Sequence, residues 1–160
     1  MKRLLIGSSG IAASALHLGL VAVVALAPST AHALDQAARG QIMHGVVYLV
    51  AMQNQGGKLV PISRGSGTII SSSGIILTNR HVITDDNQRP MDAVAVGFTQ
   101  DLDQAPKLTC LAYPAHSQIS NDADLALIKC ETNMQGGPLP ATTYPSVVPI
   151  GDSSKLVPGE

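Results

Sequence analysis

The chain has 160 residues, 45% of them hydrophobic and only 13% charged, with a formal net charge of −1. With no basic patch, nucleic acid and anionic membrane surfaces are poor candidate partners. Aromatic residues are limited to Tyr48, Phe98, Tyr113 and Tyr144, so a core must come from Val, Ile, Leu and Ala, and the first two of these favour strands.

In chain order, Lys2 and Arg3 form a short basic start, Ile11 to Ala27 is almost wholly apolar, and Pro28 and Ala31-His32-Ala33 follow. That sequence of features predicts a secretory signal, residues 1–33, cleaved after Ala33. An uncleaved anchor is the competing reading, because about seventeen apolar residues lie at the lower edge of a bilayer span. Cleavage leaves about 127 residues, enough to bury roughly two-thirds of the surface an unfolded chain exposes. It also leaves eight Lys and Arg against eleven Asp and Glu, a net charge of −3, and no segment for stable membrane insertion. The expected location is exported, in a periplasm or outside the cell.

Export places Cys110 and Cys130, the only cysteines, in an oxidising compartment. Paired, they close a loop of about twenty residues worth on the order of 3 kcal/mol; the alternative is two separately buried thiols. Their separation lacks the short-spaced pair of a zinc site.

Leu34 to Ile42 gives no clear signal. Strands are predicted at Met43–Met52 and, after the Asn54-Gln55-Gly56-Gly57 turn, at Lys58–Ile62. Further short strands are read at Thr68–Ser71 and, past the Ser72-Ser73-Gly74 turn, at Ile75–Thr78. Others follow at Asp92–Phe98, where Ala-Val-Ala-Val is too apolar for strict alternation, at Lys107–Tyr113 and at Leu125–Cys130. Six or seven short strands without a long helical period predict an all-β barrel or sandwich. Gly136 to Pro149 turns Pro- and Gly-rich and reads as a connector.

Two positions carry chemistry. His81 follows a strand on a turn, which places its ring at a rim rather than in a sheet. Some forty residues later, Asp124 directly precedes the apolar Leu125-Ala126-Leu127, where a carboxylate can be partly buried and fixed by hydrogen bonds. An acid so held can accept an imidazole N–H, select the tautomer and stabilise the imidazolium. Asp122 is the competing acid, read as solvating the loop.

The blocks "GSGTIISSSGIILTNRHVI", "DADLALIKC" and "VVPIGDSSKLVPGE", in that order, resemble successive segments of the trypsin-fold serine proteases, most closely the HtrA (Deg) branch. The resemblance covers about Gly65 to Glu160. It implies an all-β, chymotrypsin-type double β-barrel of which the chain holds mainly the first barrel, residues 34–148, and the start of the second, residues 149–160. It further implies His81 as general base, Asp124 as its orienting partner, and a polypeptide substrate in an unfolded state. No cofactor or metal enters that chemistry. Homo-oligomers and PDZ domains are common in the branch; nothing here encodes a PDZ domain, and a homo-oligomer stays open.

One departure stands out. The family carries its nucleophile in Gly-x-Ser-Gly-Gly, whose backbone N–H groups also bind the oxyanion, and no such segment occurs. Gly151-Asp152-Ser153 is followed by Ser154-Lys155 where glycines are needed, so Ser153 reads as structural; so does Ser66. The expectation is a serine endopeptidase sequence that lacks its nucleophile and is inactive as given. The alternative is a non-catalytic exported β-domain, a protease relic or peptide-binding module. His44 reads as lying at a strand start, His116 as a loop residue beside Pro114 and Ser117, His17 and His32 as part of the signal, and a zinc site from His44, His81 and His116 has no short-spaced pair to seed it.

Overall fold

The structure is a computed structural model that describes residues 35–101, 103–140 and 143–155; the predicted signal segment lies outside them. Seven strands form one antiparallel sheet in the order β3-β2-β1-β4-β5-β7-β6, and an additional β3–β7 pairing closes it into a barrel. The strands are β1 (Val46–Gln55), β2 (Lys58–Ile69), β3 (Ile75–Thr78), β4 (Ala93–Phe98), β5 (Lys107–Ala112), β6 (Gln118–Ile119) and β7 (Ala126–Asn133). Closure removes the open edges of the sheet over the paired residues. The all-β barrel class read from the sequence is therefore the observed one.

The barrel interior holds Val47, Leu49, Ile69, Ile76, Val94, Val96, Cys110, Ile128 and Cys130, each at most 2% exposed. Alternation along β1 and β4 puts these residues inward. Yet β4 is buried along its whole length. Its outward residues Ala93 and Ala95 pack with Val50, Met52 and Leu111, flanked by Tyr48, Tyr113 and Met134. A second small cluster on the outer face thus explains why Ala93 to Val96 shows no polar alternation.

Cys110 on β5 and Cys130 on β7 are joined by a disulfide inside the barrel. β5 and β6 share one edge of β7, β5 pairing with Cys130 to Asn133 and β6 with Ala126 and Leu127. The step between them is a 3-10 turn at Pro114–His116, where proline has no N–H to offer a ladder.

Several predicted boundaries shift. Met43 to Gly45, read as strand, instead ends a helix, α1 (Gln36–Gly45), which starts where the Asp35 carboxylate accepts the Ala38 N–H at 2.6 Å. Such a side-chain acceptor satisfies one of the first-turn donors and fixes the helix start. The run read as a strand at Lys58–Ile62 and the first half of the one read at Thr68–Ser71 belong to the single twelve-residue β2, which ends at Ile69. Its pairing with β3 begins only at Gly67, which leaves Pro61 on an unpaired edge where proline is tolerated. The stretch from Gly136, read as a connector, folds back as a strap: Leu139, Tyr144 and Val147 pack on the core, and the Val148 N–H donates to Ile69 O at 2.8 Å. Tyr144 lies edge-on to Phe98, with ring centroids 6.1 Å apart, and covers Gly74. Gly74 precedes β3 and His81 follows it, so the strap covers the barrel end opposite to His81.

Candidate active site

β3 ends at Thr78, whose hydroxyl donates to Ser66 O at 2.8 Å. The chain then turns through Asn79 into a single helical turn, α2 (Arg80–Ile83). Val82 and Ile83 are buried and anchor the turn, whereas the His81 side chain is 71% exposed. The Ser63 hydroxyl ties α2 to β2 by donating to Val82 O at 2.9 Å.

The Gly-Ser-Gly lead now has a physical reason. A Cβ on Gly65 would lie 2.7 Å from the Val82 side chain, and one on Gly67 2.7 Å from Ile76 Cγ2 and 3.0 Å from Leu77 O. Two missing side chains let the histidine turn and β3 sit directly on β2.

Asp124 arrives from the other side of the closure. Thr78 pairs with Ala126 across β3 and β7, so the residue three after Thr78 and the residue two before Ala126 emerge together at one rim. In the preceding loop, the Ser120 hydroxyl oxygen accepts the N–H of Asp122 at 3.3 Å and of Ala123 at 3.0 Å, while Ser120 N–H donates to Leu125 O at 3.0 Å.

The two groups meet. His81 Nδ1 lies 2.6 Å from Asp124 Oδ2, and the His81 backbone N–H donates to Oδ1 at 2.9 Å. Asn79 Nδ2 donates to Asp124 O at 2.9 Å and to Oδ2 at 3.2 Å. These donors hold the Asp124 carboxyl below its ordinary value: the His81 backbone N–H acts most strongly, then the imidazole, with desolvation opposing and a smaller contribution from Asn79. As an anion, Asp124 can only accept, so Nδ1 carries the hydrogen, and in the neutral imidazole this tautomer leaves the lone pair on Nε2. Among the described residues, Nε2 has no hydrogen-bond partner.

The Asp124 side chain is 45% exposed. Its carboxylate is fixed chiefly by hydrogen bonds, from His81 N–H, the His81 ring and Asn79. Asp122 is exposed, and its backbone N–H donates to Ser120 Oγ; among the described residues it forms no hydrogen bond or ion pair with His81. Ser153 opens an exposed 3-10 turn (Ser153–Lys155) in which Asp152 accepts from Ser154 N–H at 3.1 Å and Ser154 Oγ at 2.7 Å. Ser66 lies within β2. Neither serine bonds to His81.

His44 Nδ1 pairs with Thr99 O at 3.0 Å. His116, read as a loop residue, forms a second histidine–carboxylate pair with Glu131, at 2.9 Å to Oε2. Among the described residues no three His, Cys, Asp or Glu side chains converge as for a metal ion. The residues that sequence reasoning passes over are Asn79 and Arg80; their only signal is adjacency to His81.

A model of the trypsin-like peptidase domain matches residues 65–160, more than half the chain. Serine protease HTRA1 of Xenopus laevis is 34% identical over 101 residues, 63% of this chain, and serine protease HTRA4 of Homo sapiens is 34% identical over 105 residues, 66% of it. The chain spans 17% of the length of each of these relatives. With that domain match and the barrel it falls on, the chain belongs to the trypsin-like peptidase family of serine proteases, and its likeness within that family is to the HtrA proteins.

Proposed function

We propose that the protein is an exported serine endopeptidase of the HtrA type, with His81 as general base and Asp124 as the acid that orients it. The observation that carries this reading is the imidazole tethered through Nδ1 to an anionic carboxylate while Nε2 stays open at the rim. In that state Nε2 can take the proton of an attacking serine hydroxyl and give it to the leaving amine, whose departure leaves an ester of the serine; Nε2 then takes a proton from water, which hydrolyses the ester, and returns that proton to the serine oxygen. The substrate is a polypeptide in an unfolded stretch. Export rests on the signal-like residues 1–33, with residues 34–148 as the first barrel and 149–160 as the start of the second. No helix among the described residues is long and apolar enough to cross a membrane.

The nucleophile is not within these 160 residues, because no Gly-x-Ser-Gly-Gly segment occurs in them. In subtilisin, loss of the serine costs about a millionfold in turnover, so residues 1–160 alone are expected to be inactive. The test is hydrolysis of an unfolded protein substrate by the product of the complete reading frame. Cleavage abolished by changing the serine of a Gly-x-Ser-Gly-Gly segment to alanine supports the reading. A complete product without that segment and without hydrolysis supports the alternative of a non-catalytic exported β-domain.

A further inference from the structure

Arg80 stands between the two residues that touch Asp124, yet its side chain reaches elsewhere. Its Nη1 donates to Ser120 O and to Asn121 O, each at 3.3 Å, and the residue is half-buried. Ser120 in turn binds the N–H groups of Asp122 and Ala123 through its hydroxyl. Asn79 holds the far end of the same loop through Asp124 O and Oδ2. Three consecutive residues, 79 to 81, therefore grip both ends of the segment from Ser120 to Asp124.

A single exposed contact between an imidazole and a carboxylate holds its partners weakly, and this pair is exposed at both side chains. Hydrogen bonds with an ionised donor are stronger than neutral ones, and a guanidinium can serve two acceptors from one planar fork. We infer that Arg80 and Asn79 are positioning residues, a clamp that sets the Asp124 carboxylate against His81 Nδ1; the inference rests on the peptidase reading of that pair. Neither residue touches a reacting atom. Their effect passes through the loop, and so through the orientation of the imidazole.

The test uses the chain of residues 1–160 and needs no nucleophile. In protein labelled on histidine nitrogen and aspartate carboxyl carbon, magnetic resonance follows the His81 Nδ1–H signal and the titration of Asp124. Arg80→Ala and Asn79→Ala are each expected to speed exchange of the Nδ1–H with water by on the order of tenfold. Each should also move the Asp124 midpoint upward, toward the ordinary carboxylate value, with the strand amide signals unchanged. Arg80→Lys, which can still reach one carbonyl, should recover part of both effects. Unaltered Nδ1–H exchange and an unaltered Asp124 midpoint in a folded Arg80→Ala protein would overturn the clamp. Should the alanine variant not fold, Arg80→Gln is followed by the same two signals: faster exchange with a raised midpoint supports the clamp, and no change in either overturns it. Because turnover is not measured, failure of the clamp leaves the peptidase reading intact, and an inactive complete product leaves the clamp intact.

Discussion

The barrel carries two histidine–carboxylate pairs that look alike in outline. His81 Nδ1 meets Asp124 at 2.6 Å, and His116 Nδ1 meets Glu131 at 2.9 Å; the side chains are 71% and 45% exposed in the first pair and 66% and 36% in the second. What differs is the number of independent donors on the acid. Asp124 receives the His81 backbone N–H, the His81 ring and Asn79, whereas both oxygens of Glu131 share the single His116 Nδ1. Contact between an imidazole and a carboxylate is common and cheap on a protein surface. A pair built for proton transfer needs an acid with nowhere else to go.

Both acids depend on β7, so the largest expected effect is the one that loosens it. Replacing Cys110 and Cys130 with alanine removes the bridge between β5 and β7 and should cost about 3 kcal/mol, the chain-entropy value for a loop of this length. Urea unfolding measures it, and both pairs should weaken together. A smaller change separates them. Gly67→Ala forces a methyl toward Ile76 and Leu77 O and should cost about 1–3 kcal/mol, the usual range for overpacking. It should disturb the His81 ring signal while leaving that of His116 in place.

Acid sharpens the contrast further. The Asp124 carboxyl is depressed in the folded protein, so its contribution to stability is present above the unfolded-state value near 3.8 and is lost as pH falls through the lower folded value. Asp124→Asn is therefore expected to reduce stability at neutral pH. The gap from wild type should close as the medium is acidified below that range, as followed by thermal unfolding across pH. The smallest effect is Glu131→Gln, expected within about 0.5 kcal/mol of wild type, the usual worth of an exposed pair on a sheet surface.

The barrel is legible in the sequence where apolar runs meet tight turns. Ile75–Thr78 reads with its observed bounds because the Ser-Ser-Ser-Gly turn precedes it and the polar Asn79 and Arg80 follow. β2 reads as two strands because Gly65 and Gly67 look like a break; only their closeness to Val82 and Ile76 shows that glycine keeps the strand continuous there. α1 escapes a sequence reading because its apolar residues are few and its start depends on one cap, Asp35. The strap after Gly136 is unreadable for another reason: it has no periodicity, and its place is set by Tyr144 against Phe98 and Gly74.

In the site, His81 and Asp124 can be singled out because each abuts an apolar strand, and those strands pair through Thr78 and Ala126. The direction of the Arg80 side chain cannot, since it depends on where a loop forty residues away presents its carbonyls. The His116–Glu131 pair is hidden because β5 breaks at Pro114 and the chain steps across β7 before resuming.

The most direct measurement is fluorophosphonate labelling of the complete reading-frame product, compared with its His81→Ala variant and with residues 1–160 alone. A serine should be labelled in the complete product, labelling should fall by at least about a thousandfold without His81, and the short chain should take up none. Labelling of residues 1–160, or labelling of the complete product that ignores the loss of His81, would contradict the role given to this histidine.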